Sequence, residues 1–180
     1  MFQQLWKTFL CLVLLLRQCE FQTLLPTGIL STAEYSGKWF ILGVAADTTS
    51  LLVSYNELDS AVFMFTPMEG KQMLQMKGAL RLTQSMQCMP LQWIYQVNKE
   101  TQKLEGEFLR TSYIIAVDPN SSYMLLQRKK YGLVTFARLI LYGRSPKLTE
   151  SHYERFQQVA TSMRLDKVVA LRQAQAPCEI

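Results

Sequence analysis

The sequence predicts an all-β fold: an eight-stranded up-and-down antiparallel barrel with one α-helix packed outside it near the C-terminus. Three observations carry this expectation. Short stretches rich in β-branched, aromatic and Met residues recur through the chain, the clearest of them alternate in polarity at every second residue, and turn residues separate them at hairpin spacing. A meander of eight such strands removes its edges by closing on itself, and a barrel of that size can hold one small ligand.

Lys7 precedes an apolar run from Thr8 to Leu16 that ends at Arg17, so residues 1–20 read as a signal-like segment. The run is too short to span a bilayer. Small residues are missing where a cleavage site needs them, and Arg17, Gln18, Cys19 and Glu20 make a poor recognition end. Two readings stay open: removal near Cys19, or retention as an apolar anchor on a lipid surface. Residues 21–36, with Pro26 and Gly28, read as a linker, and residues 37–180 as the barrel with its helix and tail.

Strands are expected over 38–46, 59–66, 72–83, 91–98, 103–109, 111–118, 122–128 and 133–142. In the third, Leu74, Met76, Gly78, Leu80 and Leu82 share one face and Gln75, Lys77, Ala79 and Arg81 the other. In the fourth, Trp93, Tyr95 and Val97 alternate with Gln92, Ile94 and Gln96. Turns at Met68-Glu69-Gly70-Lys71, Asn98-Lys99-Glu100-Thr101 and Asp118-Pro119-Asn120-Ser121 imply antiparallel pairing of consecutive strands. Beyond Pro146, Thr149 can cap a helix that carries Glu150 in its first turn. Tyr153, Phe156, Ala160 and Met163 then recur at helical spacing, an apolar stripe that needs the outer barrel wall to cover it. A ninth short strand is expected over 167–171.

The chain has 180 residues, and a targeting segment of about 20 to 30 leaves a length that suits one domain. Hydrophobic residues at 49% against 18% charged argue against disorder and leave apolar surface to line a cavity. The net charge of +5 is spread thinly, so nucleic acid is not an expected partner. Its only cluster, Arg128-Lys129-Lys130, reads as a loop face or as a contact for anionic lipid headgroups. None of the four cysteines has zinc-site spacing. Cys11 lies in the targeting segment, Cys19 has no evident partner, and Cys88 with Cys178 is the natural disulfide in an oxidising compartment. In the chain-entropy model a bridge across so long a loop is worth about 4 to 5 kcal/mol.

Gly37-Lys38-Trp39 opens the first strand: Gly37 suits a tight entry, and Trp39 offers a large ring with one N–H to satisfy. Followed by the strand series, by Leu141-Tyr142-Gly143-Arg144-Ser145-Pro146 and by the single helix, it resembles the lipocalin family along essentially the whole mature chain. In that family an Arg at the end of the last barrel strand lies across the conserved Trp at the closed end, and Arg144 matches it. The family's middle motif, usually Thr-Asp-Tyr, is met only loosely, by Val117-Asp118 through Tyr123. Cys88-Met89-Pro90-x-x-Trp93-Ile94-Tyr95, the Leu141–Pro146 run and Cys178-Glu179 are similar to a lipoprotein-borne branch of the family. That resemblance implies a secreted plasma component associated with high-density lipoprotein, which keeps its signal segment as an anchor and binds sphingosine 1-phosphate or a related single-chain lipid. It also implies that Arg138 is a headgroup arginine and that Trp93 and Tyr95 are pocket aromatics. The sequence departs from the pattern at two further headgroup positions, where Leu91 stands at one and Glu107 or Leu109 at the other. A less charged lipid then suits the site unless Arg81 or Arg110 compensates.

Binding an acyl chain needs only a dry cavity, for which Met64, Met76, Leu80, Trp93, Tyr95, Phe108 and Tyr113 are the candidate walls. Another apolar ligand, such as a retinoid or fatty acid, is the first alternative, and an isomerase using Cys88 as nucleophile is the second. His152 is the single histidine and falls on the polar side of the helix, which weakens any triad or His–metal mechanism. Asn120-Ser121-Ser122 is an N-glycosylation sequon in a turn. A monomer without enzyme activity, cofactor or metal is the overall expectation.

Overall fold

Hairpin pairing builds the wall. In the computed structural model β1 (Gly37–Ala46), β2 (Leu58–Met68), β3 (Met73–Leu82), β4 (Met89–Asn98), β5 (Lys103–Glu105), β6 (Arg110–Asp118), β7 (Ser122–Tyr131) and β8 (Val134–Gly143) each pair antiparallel with the next. β1 pairs with both β2 and β8, which closes the cylinder. The structure describes residues 33–180 apart from 86, 99, 102, 107–109, 119, 132–133 and 175. The signal-like segment, with Cys11 and Cys19, therefore lies outside the described residues, and so does the expected end of the fifth strand.

The strands fall where alternation placed them, with ends shifted by one to three residues elsewhere. Unanticipated are a single 3₁₀ turn (Thr49–Leu51) and a one-turn helix, α1 (Val53–Asn56), in the β1–β2 connection. Neither is long enough to carry a periodic signal.

Alternation sorts the side chains into two apolar layers. Trp39, Ile41, Phe63, Phe65, Leu74, Met76, Tyr95, Ile114, Tyr123, Leu125, Ile140 and Tyr142 fill the interior. Phe40, Leu42, Ala45, Leu126, Leu139 and Leu141 face outward and are covered by Phe156, Val159 and Ala160 of α2 (Glu150–Ser162). Thr149 caps that helix by accepting the His152 N–H at 3.3 Å. The apolar stripe lies on the outer barrel wall, where an amphipathic helix buries it most fully. Gly78 is required where β3 crosses the interior, because a Cβ there would collide with the Phe63 ring.

After α2 the chain returns as β9 (Lys167–Ala170), antiparallel to the second half of β1. The tail ends in a disulfide between Cys178 and Cys88, with Cα atoms 5.9 Å apart.

Candidate functional site

The two ends of the barrel are built differently. At the closed end Gly37 has φ +99°, and an added Cβ would lie 2.9 Å from Arg144 Nη1. Glycine therefore serves twice here, for its backbone conformation and for the close approach of the guanidinium. Arg144 lies 3.6 Å from the Trp39 ring centroid and donates to the carbonyls of Lys38 (3.3 Å) and Glu34 (3.1 Å). The indole N–H of Trp39 donates to Tyr35 O at 2.8 Å. Tyr123 stacks on Tyr142 and meets Trp39 edge-on, each at 4.6 Å between centroids. Burial, aided by the Glu34 charge, pushes the Tyr35 hydroxyl up to about 12. Burial also raises Tyr123 well above the usual phenol range. This end is packed shut.

Towards the other end a cavity of about 390 Å³ opens, walled by Ile41, Phe63, Leu80, Leu91, Trp93 and Ile140 among others. Among the described residues one charged side chain enters it. Arg138, inward-facing on β8, donates Nε to Gln127 Oε1 at 2.6 Å and Nη1 to the Tyr55 hydroxyl at 2.7 Å. Gln127 in turn donates Nε2 to the Tyr95 hydroxyl at 3.3 Å. Gln127 is directly opposite Arg138 in the β7–β8 register, which explains their contact. Tyr55 comes from α1, so the short helix contributes one wall of the polar end. No Asp or Glu is among the described walls. The buried Trp93 indole N–H and the Ser112 hydroxyl have no hydrogen-bond partner among the described residues.

The named site residues divide accordingly. Arg138, Trp93, Tyr95 and Leu80 line the cavity together with Leu91. Met76 belongs to the fully buried interior core. Three placements are corrections. Met64 shares the outer face of β2 with Val62, because Phe63 and Phe65 take the interior. Tyr113 packs with the outer layer, as Ile114 turns inward beside it. Arg81 is outside on β3, where Nε donates to Asp59 Oδ1 at 2.8 Å and Nη2 to Ala176 O at 3.1 Å. Phe108, Glu107 and Leu109 lie outside the described residues, and of Arg110 only the strand position opposite Lys129 is described. The disulfide takes the Cys88 thiol out of nucleophilic chemistry. Gln127 and Tyr55 were not anticipated. Gln127 carried a signal, a polar residue at the inward parity of Tyr123 and Leu125; Tyr55 carried none.

A family model described as the ApoM domain matches residues 1–180. Apolipoprotein M of Mus musculus is 26% identical over 193 aligned residues, which cover 100% of this chain and 98% of the mouse protein. Apolipoprotein M of Rattus norvegicus is also 26% identical, with the same coverage. Among solved structures the siderocalin Ex-FABP, described as functioning through dual ligand specificities, superposes with a TM-score of 0.70 at 18% identity. That alignment covers 82% of this chain and 99% of the siderocalin. A second siderocalin gives 0.69 at 18%, covering 82% and 95%. At such identity the siderocalins establish the fold alone.

Proposed function

The chain belongs to the ApoM family, and on that premise we propose that this apolipoprotein M-like lipocalin is an extracellular carrier of one single-chain anionic amphiphile, held with its headgroup at Arg138. One observation carries the reading: among the described residues, a guanidinium inside a largely apolar cavity is met by the neutral oxygens of Gln127 and Tyr55. A charge met by neutral partners in such surroundings is costly, and a ligand anion relieves the cost. Trp93, whose buried indole N–H has no hydrogen-bond partner among the described residues, belongs to the same cavity wall. A cavity of about 390 Å³ falls in the common range for small-molecule sites, roughly 300 to 1,000 Å³.

One arginine suits one negative charge. Charge-assisted hydrogen bonds contribute about 1.5 to 3 kcal/mol each, and Leu91 contributes none where an arginine is expected. Sphingosine 1-phosphate carries an ammonium besides its phosphate, and the described walls offer that cation no carboxylate. A long-chain or retinoid carboxylic acid therefore fits better than the phosphosphingolipid the resemblance implies. Enzyme activity is not part of the proposal, since Cys88 is disulfide-bonded and His152 sits on the outer helix.

Lipoprotein association, most simply with high-density particles, is assigned to the apolar run Thr8–Leu16, retained as an anchor. Asn120, exposed in the β6–β7 turn at the closed end, is assigned as a glycosylation site. Native mass spectrometry of the protein from its source tests these points together. It is expected to report one bound monoanionic lipid, a glycan removable by an endoglycosidase, and an N-terminal peptide containing Trp6. Protein that carries no apolar ligand, and takes up neither a fatty acid nor sphingosine 1-phosphate, would overturn the carrier reading.

A further inference from the structure

The seam between β1 and β2 is made differently from the long hairpin seams β2–β3 and β7–β8. Over Gly37–Phe40, β1 is bonded to Phe65–Val62 of β2 as an ordinary antiparallel ladder. Beyond Phe40 the two strands part. One edge of β1 is held by β8 as far as Ala46, so β9, which pairs with Gly43–Ala46, must take the edge β2 has left. At the fork a single side chain replaces the missing rung. Gln173 donates Nε2 to Ile41 O at 2.6 Å and accepts the Ala61 N–H on Oε1 at 2.9 Å.

The neighbouring bonds are isolated ones: Leu171 N–H to Leu42 O at 2.9 Å, and Ala174 N–H to Asp59 O at 2.6 Å. The β2–β3 and β7–β8 seams, by contrast, run unbroken through Ser60–Met68 and Ser122–Tyr131 without a substitute. Residues 167–174 of the C-terminal segment thus form a piece of the wall rather than a covering, while Cys178 packs in the outer layer and donates its N–H to Ser60 Oγ at 2.8 Å. Leu171 belongs to the interior core, and Ile41, whose carbonyl receives the Gln173 amide, lines the ligand cavity. The far end of the segment is tied by the disulfide to Cys88, which is itself exposed at the start of β4.

We propose that residues 167–174 are a removable stave of the barrel, that Gln173 is the positioning residue that holds it shut, and that its release opens the ligand cavity sideways between β1 and β2. A side-chain amide can swing away by rotamer change, whereas a backbone rung can leave only with its strand, so this seam opens with less disruption than β2–β3 or β7–β8. The disulfide keeps the opened stave attached. The role in ligand exchange rests on the carrier reading; the opening itself does not.

Amide hydrogen exchange of the full chain tests the opening in the parent, in Gln173→Ala, and in the Cys88→Ser/Cys178→Ser double variant. Loss of one or two hydrogen bonds at a locally opening site is expected to speed exchange at Ala61, Leu171 and Ala174 about tenfold, while Leu125 and Ile140 keep parent rates. Unchanged exchange at the three seam amides would overturn the proposal, and so would equal acceleration in every strand. Stopped-flow uptake and release of a fluorescent long-chain fatty acid then tests the passage. A stave that opens raises both rates in Gln173→Ala and leaves Kd within about twofold, whereas unchanged rates overturn the sideways route. A parent protein that binds no probe sinks the carrier reading, and the seam amides then decide the stave alone.

Discussion

Two arginines six positions apart show how one barrel uses the same side chain in opposite ways. Arg144 and Arg138 both lie beside an aromatic ring, at 3.6 Å from the Trp39 centroid and 5.6 Å from that of Tyr55. Arg144 directs its donors at backbone carbonyls, Lys38 O and Glu34 O, which stay in place as long as the fold exists. Arg138 directs its donors at the side chains of Gln127 and Tyr55, which can rearrange, and Tyr55 sits on a one-turn helix in a connection between strands. A guanidinium bound to fixed acceptors staples the chain. One bound to adjustable neutral acceptors in a cavity is ready to exchange them for a ligand.

The comparison breaks most easily at the closed end. Trp39→Ala removes a fully buried indole and is expected to cost about 3 to 5 kcal/mol, so that Tm falls on the order of 10 °C with ligand preference unchanged. Equal Tm values by calorimetry for variant and parent would contradict the stapling role. Arg138→Ala should do the reverse. Losing one charge-assisted contact weakens a fatty-acid probe about 10- to 100-fold in fluorescence titration, while Tm moves far less than in Trp39→Ala.

A pH titration sharpens the closed-end half. Tyr35 ionises near 10 when unfolded and at about 12 when folded, so its contribution is present in full below pH 10. Above that pH the unfolded chain loses its proton first, and stability falls by about 2 kcal/mol as pH rises through 12. Denaturant midpoints at pH 9 and pH 11.5 measure the loss, which Tyr35→Phe should reduce. The smallest expected effect is at the cavity wall. Leu91→Arg adds a second cation beside Arg138, and should shift competition between a fatty acid and sphingosine 1-phosphate about tenfold towards the phosphate.

Period-2 alternation made the strands and turns legible, because hairpin partners are neighbours in sequence and need no long-range information. Cavity-wall residues were legible from the residues alone where type and strand parity agreed, as at Trp93 and Tyr95, whereas Arg138 was reached through the family resemblance. Met64 and Tyr113 were chosen for their type, yet parity turns both outward, since Phe63 and Ile114 beside them take the interior. Arg81 was chosen for its charge, but the outer face of β3 brings it to Asp59.

The sequence by itself determined the strand order, the capped helix and the disulfide pair, because each depends on local pattern or on a small choice of partners, while the arginine of the last strand was met through the family resemblance. Only the tertiary structure decided that Tyr55 reaches that arginine, that Gln127 faces it across a hairpin, and that Gln173 bridges β1 and β2. Gln173 and Ala61 are 112 positions apart, and contacts at that separation are set by how the sheet closes rather than by any spacing along the chain.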